Sequence, residues 1–282
     1  MKKLGFIDYY LDEWHANNYP KWLSEASNGE QIVTYAYGDI DSPKGITNAE
    51  WCKVNGVEQL HSIEELVEKS DCIIVLSPDN PEQHEKLSRL ALMSGKRVYV
   101  DKTFSNSREE AIKMFVLADQ YNTPMYSSSA LRFSKELEGI DKANIDMINS
   151  RGPGTFSIYS IHQLEPIVTL MGSDIKRIMS IGTETSPALI IEFSDGRKAI
   201  MSHFGWECPF GITINYKSGN AVLINDCTEY FPRFIQNMSD FFETGDIKAS
   251  HEDTIAIMSL REYGYKALSC SGTWVEIPHF SK

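Results

Sequence analysis

Strand-like and helix-like segments alternate along the first 130 residues of this chain. The predicted strands are residues 4–8, 31–37, 71–76, 97–100 and 125–128. The predicted helices are residues 14–26, 82–94 and 107–121, with another that begins at the capping box of residues 62–65. Parallel strands need a crossover between them, usually a helix, so this order is typical of βαβ units. Residues 1–130 are therefore predicted to form a Rossmann-like domain with a doubly wound parallel sheet.

The rhythm changes after residue 130, where predicted strands follow one another with turns between them. These strands are residues 155–160, 175–182, 188–193, 198–203, 211–215 and 221–224, with hairpin turns at 194–196 and 217–220. Two helices close the chain, the first with an aromatic stripe between residues 230 and 242 that we expect to pack in a core. Residues 131–282 are predicted to form an open, mostly antiparallel sheet with helices on one face.

Charge and apolar patterning exclude several classes of protein. The chain carries 27 lysine and arginine residues against 39 aspartate and glutamate residues, a formal charge of -12. This charge repels nucleic acid and acidic lipid surfaces alike. No apolar run approaches the roughly 20 residues that span a bilayer, and the apolar stretch behind the basic start breaks at Asp8, too early for a signal peptide. A cytoplasmic protein is expected. Its five widely spaced cysteines lack a C-x-x-C pair, which predicts neither disulfides nor a metal site.

Lys102 and His162 are the residues whose positions suggest chemistry. Lys102 directly follows a predicted strand and Asp101, so its ammonium group can face a crevice and act on a substrate oxygen; a surface lysine explains the position equally well. His162 lies three residues before Glu165, a pair suited to acid/base work or to a hydroxyl-rich ligand if a helix begins there. A packing or capping role at that helix start is the alternative.

The order of these pieces resembles the Gfo/Idh/MocA oxidoreductases, a family that includes glucose-fructose oxidoreductase and inositol dehydrogenase. The matching features are the strand and loop that end at Pro78, His84 on the next helix, Gly95-Lys96, and Asp101-Lys102-Thr103 in place of Glu-Lys-Pro. Residues 129–133 and His162-Gln163-Leu164-Glu165 match two later segments. The resemblance implies a nucleotide-binding domain followed by a substrate and oligomerisation domain.

The resemblance also implies the reaction and the residues that carry it. Lys102 is implied as the catalytic lysine and His162 as the acid/base beside the substrate hydroxyl. Hydride would pass between the nicotinamide of NAD(H) or NADP(H) and a carbon of a sugar or polyol. Asp39 or Asp41 would accept the ribose hydroxyls, which favours NAD. The implied cofactor contacts are Asp8, Tyr9, Tyr10, Leu11, Asp39, Ser77, Pro78, His84 and Asp101.

The chain departs from the family at the loop of residues 8–13. All three glycines that let the backbone approach the pyrophosphate are missing, and Asp8, Asp12 and Glu13 place negative charge where a helix start should receive phosphate. A carboxylate found in many relatives falls on Ile158, with Tyr159 and Tyr126 as candidate replacements.

These departures keep two other readings open. In one, the chain has lost the dinucleotide and works as a small-ligand binding or regulatory protein, or as a cofactor-free lyase. In the other, it is a structural subunit without chemistry. An open sheet with an apolar exposed face predicts a homo-oligomer in every case.

Overall fold

The structure is a computed structural model that describes residues 1–278. It contains two compact units. The first unit comprises Met1–Ser128 and Phe234–His251, and the second comprises Ser129–Arg233 and the chain from Glu252 onward. The predicted division at residue 130 treated each domain as one continuous stretch, whereas residues 234–251 return to the first unit.

The first unit is built on a six-stranded sheet in which every pair of neighbouring strands is parallel. Its strands are β1 (Lys2–Asp8), β2 (Gln31–Gly38), β3 (Glu58–Gln59), β4 (Cys72–Val75), β5 (Arg97–Val100) and β6 (Met125–Tyr126), in the spatial order β3-β2-β1-β4-β5-β6. The order reverses between β1 and β4, and folds of this class bind ligands outside the carboxyl ends of the strands at such a reversal. The predicted Rossmann-like fold is confirmed.

Five helices connect these strands, and most of them begin at a side chain that caps the helix. They are α1 (Trp14–Ala26), α2 (Asn48–Asn55), α3 (Ile63–Lys69), α4 (His84–Leu92) and α5 (Arg108–Gln120). Thr47, Ser62 and Ser107 cap α2, α3 and α5 with hydroxyl groups that accept backbone N–H bonds. Helix α1 is capped instead by the carboxylate of Glu13.

Helix α7 (Tyr230–Thr244) explains why the chain returns to the first unit. The ring of Phe234 lies 6.1 Å from that of Tyr19 and 5.6 Å from that of Tyr99, and Phe241 packs edge-on against Tyr126 at 5.0 Å. The aromatic stripe is core, as predicted. It belongs to the core of the first unit, because its partners lie on α1, β5 and β6.

The second unit is built on a seven-stranded sheet with the order β12-β11-β7-β10-β9-β8-β13. Its strands are β7 (Ile145–Pro153), β8 (Ile175–Ser180), β9 (Ala188–Phe193), β10 (Lys198–Phe204), β11 (Gly211–Tyr216), β12 (Ala221–Ile224) and β13 (Val275–Glu276), with helices α6 (Phe156–Met171) and α8 (His251–Leu268). All pairs are antiparallel except β7 and β10. The predicted mostly antiparallel sheet and its hairpins at 194–196 and 217–220 are confirmed.

The strand predicted at residues 155–160 is wrong, because this segment forms the first turn of α6. Its β-branched and aromatic residues are typical of a strand, but burial follows the helical period: Phe156 and Ser160 are buried while Ile158 is exposed. The Phe156 ring packs edge-on against Tyr265 of α8 at 5.0 Å. The strand of this region lies upstream, as β7. Along residues 1–278, no helix has both the length and the apolar character that a membrane span requires.

Candidate functional site

The carboxyl ends of β1, β4 and β5 bring three predicted site residues to one edge of the parallel sheet. Asp8 is the last residue of β1, Ser77 follows β4, and Asp101 follows β5. The backbone pairing continues past the strand ends, since Leu76 N donates to Ile7 O (2.8 Å) and Asp101 N donates to Val75 O (2.8 Å). This edge is where the parallel sheet is expected to bind a ligand.

Four ionisable side chains are buried together at this edge: Asp8, Glu13, His15 and Asp101. His15 Nδ1 lies 3.3 Å from Glu13 Oε2 and 3.5 Å from Asp101 Oδ2. Asp101 Oδ1 accepts a hydrogen bond from the hydroxyl of Tyr99 (3.0 Å). Within residues 1–278, Asp8 Oδ2, Asp101 Oδ2 and His15 Nδ1 are buried without a hydrogen-bond partner. Burial, then the charge of Glu13, raises the pKa of Asp8 well above its ordinary value.

Glu13 occupies the start of helix α1. One of its carboxylate oxygens accepts from the backbone N–H of His15 (2.7 Å) and the other from the N–H of Ala16. These N–H groups belong to the set that a helix start leaves unpaired and that a bound phosphate would use. The Glu13 carboxylate therefore bonds N–H groups that a bound phosphate would otherwise use.

Asn48 of α2 holds the glycine-free loop in place. Its Oδ1 accepts from the backbone N–H of Leu11 (3.0 Å), and its Nδ2 donates to Ile40 O (2.7 Å). Gly38 makes room for this amide, because a Cβ at that position would lie only 2.5 Å from it. Asn48 was not among the predicted site residues, because its role depends on contacts between loops that follow different strands.

Asp39, Asp41 and Asp12 have different partners. Asp39 Oδ1 accepts from the Tyr37 hydroxyl (3.0 Å), and its Oδ2 lies 2.7 Å from Lys86 Nζ. Asp41 Oδ1 accepts from the backbone N–H of Asn48 (2.8 Å) and so fixes the start of α2. Asp12 accepts from the Ile46 N–H (2.9 Å) and the Asn17 side chain (3.0 Å), which ties the loop to its surroundings.

Tyr9 and Tyr10 are half-buried in the same loop, with ring centroids 5.9 Å apart. Burial, with smaller contributions from Asp79, Asp8 and Glu13, raises the pKa of Tyr10. The loop that lacks glycines therefore carries two bulky aromatic rings.

Leu11 and His84 are enclosed by protein. Leu11 is completely buried. His84 Nε2 lies 2.6 Å from Leu76 O, and its Nδ1 lies 3.0 Å from Phe104 O. Burial lowers the pKa of His84 despite these carbonyls. The cofactor contact expected of these two side chains is therefore corrected to a supporting role, because neither reaches the surface.

Ser77, Pro78 and Lys102 complete the set on the first unit. Ser77 has a left-handed backbone (φ 73°), which is uncommon for a residue with a side chain and recurs at functional sites. Pro78 follows it and is half-buried. Lys102 is also half-buried and is joined to buried Thr103 by a cis peptide bond. Lys102 is therefore partly accessible next to the buried Asp101, and its catalytic role stays a prediction.

His162 lies inside α6, two turns from its start, and its ring is fixed by Ser129. The distance from His162 Nδ1 to Ser129 Oγ is 2.6 Å. Glu165 in turn positions Ser129, because the backbone N–H of Ser129 donates to Glu165 Oε1 (2.8 Å). His162 and Glu165 thus share one helix face, as the i,i+3 spacing predicted, and both contact Ser129. Residues 129–133 were noted for resemblance alone, so the part played by Ser129 was missed.

A buried ion-pair chain supports Ser129. Glu165 Oε2 lies 2.6 Å from Arg132 Nε, and Arg132 Nη1 lies 3.0 Å from Asp253 Oδ2. Burial acts to lower the pKa of Arg132, but the two carboxylates outweigh it and raise that pKa. Arg132 is consequently charged at every pH at which the protein is folded.

Aromatic rings surround His162 on the other side. Tyr159 lies 5.3 Å from the His162 ring, Phe210 lies 5.8 Å from it, and Trp206 meets Tyr159 edge-on at 5.3 Å. The Trp206 residue is 64% exposed. Of the two candidate replacements for the carboxylate at Ile158, Tyr159 is the neighbour of His162, whereas Tyr126 is buried among aromatic rings of the first unit.

Part of the first unit matches a known protein family. Residues 23–128 match the model of the GFO_IDH_MocA family, an oxidoreductase family with an NAD-binding Rossmann fold. This segment is therefore similar to the Gfo/Idh/MocA oxidoreductases. The family resemblance inferred from the sequence is confirmed. The match begins at residue 23 and leaves out β1 and the loop that lacks glycines.

Solved structures share the fold across nearly the whole chain. A scyllo-inositol dehydrogenase from Lactobacillus casei is 14% identical, with 98% of each chain covered and a TM-score of 0.75. GenD2 of gentamicin A biosynthesis, solved in complex with NAD, is 13% identical (99% of this chain, 97% of that one; TM-score 0.75). An oxidoreductase from Bacillus cereus is 14% identical over 100% of both chains (TM-score 0.73). No curated protein matches this chain in sequence.

Proposed function

We propose that the protein is an NAD(P)-dependent oxidoreductase that exchanges hydride with a CH–OH carbon of a sugar or polyol. The observation that carries this proposal is the fixed ring of His162, held at Nδ1 by Ser129 in a chain of which residues 23–128 match an NAD-binding oxidoreductase family. A ring bonded at Nδ1 exchanges protons through Nε2, as a general acid/base must.

Two residues carry separate roles in this proposal. In the direction of oxidation, His162 takes the hydroxyl proton of the substrate. The Lys102 ammonium stabilises the negative charge that develops on the substrate oxygen. A bound nicotinamide would supply the hydride acceptor for the carbon. Ser129 positions the imidazole, and Glu165 positions Ser129.

The residues of the first unit fit one end of a dinucleotide. Asp39 stands at the carboxyl end of β2, where a carboxylate accepts the ribose hydroxyls of NAD, and its side chain is partly accessible. We therefore favour NAD over NADP. The start of α1 fits less well, because Glu13 already bonds its N–H groups.

A ring-shaped polyol suits the surroundings of His162. Tyr159, Phe210 and the exposed Trp206 offer apolar ring faces next to an acid/base, a combination that can hold the C–H face of a substrate while its hydroxyl meets the imidazole. The similar solved structure from Lactobacillus casei is an inositol dehydrogenase, which supports this class.

The test is turnover of a panel of cyclic and linear polyols and sugars with NAD⁺ or NADP⁺, followed by nicotinamide absorbance. We expect turnover with at least one pair and a loss of at least about 100-fold in His162→Gln. His61→Gln, at an exposed histidine, is the control and should turn over normally. Full activity of His162→Gln, or no turnover with any pair, would refute the proposal.

A second candidate is a small-ligand binding protein or cofactor-free lyase, favoured by Glu13 and by the missing glycines. It predicts that a polyol binds while neither NADH nor NADPH does. Calorimetric titration with each of the three ligands separates the two candidates.

We also infer that the protein is a cytoplasmic homo-oligomer. Alternate side chains on one face of the second sheet are apolar and only half-buried, and Met179, Ile190 and Ile200 pair across three neighbouring strands. A second copy would cover this face. Light scattering at micromolar concentration should give at least twice the mass of the chain, and a monomer would contradict the inference.

A further inference from the structure

Glu13 bonds donors that a dinucleotide would need. In Rossmann folds the pyrophosphate sits at the start of the helix that follows β1, where backbone N–H groups point at it. Here the N–H groups of His15 and Ala16 donate to the two oxygens of Glu13, and the side chain is buried over them. A carboxylate and a diphosphate cannot bond the same N–H groups at once.

The surroundings of Glu13 are incompletely satisfied. His15 Nδ1 is buried and lacks a hydrogen-bond partner within residues 1–278, although it lies 3.3 Å from Glu13 Oε2 and 3.5 Å from Asp101 Oδ2. Asp8 Oδ2 is likewise buried without a partner. Buried polar groups are normally bonded, and exceptions call for an explanation. If the Glu13 side chain moved away, the Asp101 carboxylate would remain 3.5 Å from His15 Nδ1, so His15 would still have a carboxylate neighbour.

Asp12 differs from its neighbour. One of its oxygens accepts from the Ile46 N–H and the other from the side-chain amide of Asn17 in the first turn of α1, so neither bonds a backbone N–H of the helix start. It is therefore held back from the helix N–H groups. Of the acids in the loop, Glu13 is the one whose carboxylate accepts hydrogen bonds from these N–H groups.

We propose that Glu13 is an internal competitor for the phosphate position and that a dinucleotide binds this chain by displacing the Glu13 side chain from the start of α1. The inference rests on the proposed function, because it takes a dinucleotide as the ligand. Glu13 would then determine cofactor affinity, because its carboxylate must leave the N–H groups of His15 and Ala16 before the diphosphate can bond them. Removing the carboxylate should strengthen cofactor binding, whereas removing an ordinary structural cap would not.

Two substitutions separate charge from capping. Glu13→Gln keeps the length of the side chain and removes the charge. Glu13→Ser supplies a residue type preferred at helix starts, so α1 stays capped while the carboxylate is lost. Ser62→Ala is the matched control, since it removes the cap of α3, which contacts Glu65 N, and leaves the α1 position intact.

The experiment is a calorimetric titration of the natural protein and the three variants with NADH at moderate ionic strength, with folding verified by circular dichroism. We expect Glu13→Gln and Glu13→Ser to bind NADH at least about fivefold more tightly than the natural chain, because a like charge has gone from the position of a dianionic group. Ser62→Ala should bind as the natural chain does. Thermal unfolding should show Glu13→Gln to be less stable, so stability and affinity change in opposite directions.

An affinity that is unchanged or weaker in both folded Glu13 variants would overturn the inference, as would the absence of NADH binding in every protein at millimolar concentration. Tight NADH binding by the natural chain that Glu13 does not influence would refute this inference and leave the proposed function standing. Binding that appears only in the variants would support the inference and count against NAD-dependent turnover by the natural chain.

Discussion

Glu165→Ala tests whether the buried ion-pair chain holds the second unit together. The substitution removes both acceptors of a buried carboxylate: the partner of Arg132 Nε at 2.6 Å and the partner of the Ser129 N–H at 2.8 Å. Arg132 would keep Asp253 alone, at 3.0 Å. Removing one partner of a buried ion pair typically costs about 3–5 kcal/mol, against a total stability of about 5–15 kcal/mol for a folded protein.

Urea unfolding followed by circular dichroism measures this loss. Glu165→Gln should cost less, about 1.5–3 kcal/mol, because the amide oxygen still accepts one hydrogen bond. The control is Glu25→Ala on α1, which breaks a solvent-exposed pair with Lys21 and should cost about 0.3–0.5 kcal/mol. If Glu165→Ala destabilised the protein no more than Glu25→Ala, the reasoning about this ion-pair chain would be wrong.

Substitutions at three further positions test the candidate site. Because the pKa of Asp8 is raised, the stability that Asp8 contributes is present below about pH 4 and is lost as the pH rises through the pKa of the folded state. In thermal unfolding, Asp8→Asn should therefore be more stable than the natural protein at pH 7.5 and equally stable at pH 3.5. Equal stability of the two proteins at both pH values would contradict this. Lys102→Ala should keep the fold and lower kcat by about 100-fold or more, whereas unchanged turnover or gross unfolding would argue against its role. Ser129→Ala should lower kcat by about tenfold with little change in KM, since it frees the His162 ring, and Ser129→Thr should restore most of it; an equal loss in both variants would indicate a purely structural serine.

Local patterns predicted most of the first unit. Helix α1 has the predicted limits, and the buried strand β4 lies within its predicted run, because both depend on periodicities of adjacent residues. Helix α2 was not predicted, since its eight residues carry a weak apolar pattern. The error at residues 155–160 has another cause. The residue types there favour a strand, but packing of Phe156 against α8 stabilises a helix.

The candidate site was predictable only in part. Lys102 was proposed from its place after a strand and His162 from its place before Glu165; their roles come from the family resemblance and stay predictions. Ser129 was missed because it contacts a residue 33 positions away, and no local pattern encodes such a pair. The charge of Glu13 was recognised as a departure from the family. Its hydrogen bonds to the start of α1 were not predicted from the sequence and are seen only in the structure.

The return of α7 to the first unit also affects when that unit can fold. Phe234 and Phe241 pack on aromatic rings of α1, β5 and β6, yet they are synthesised long after residue 128. At about 5–20 residues per second, the ribosome needs on the order of ten seconds to make the intervening chain. During that interval the aromatic surface that α7 will cover is exposed. A chain truncated at residue 130 would carry this exposed surface permanently, so the first unit should be produced in isolation only with residues 234–251 attached.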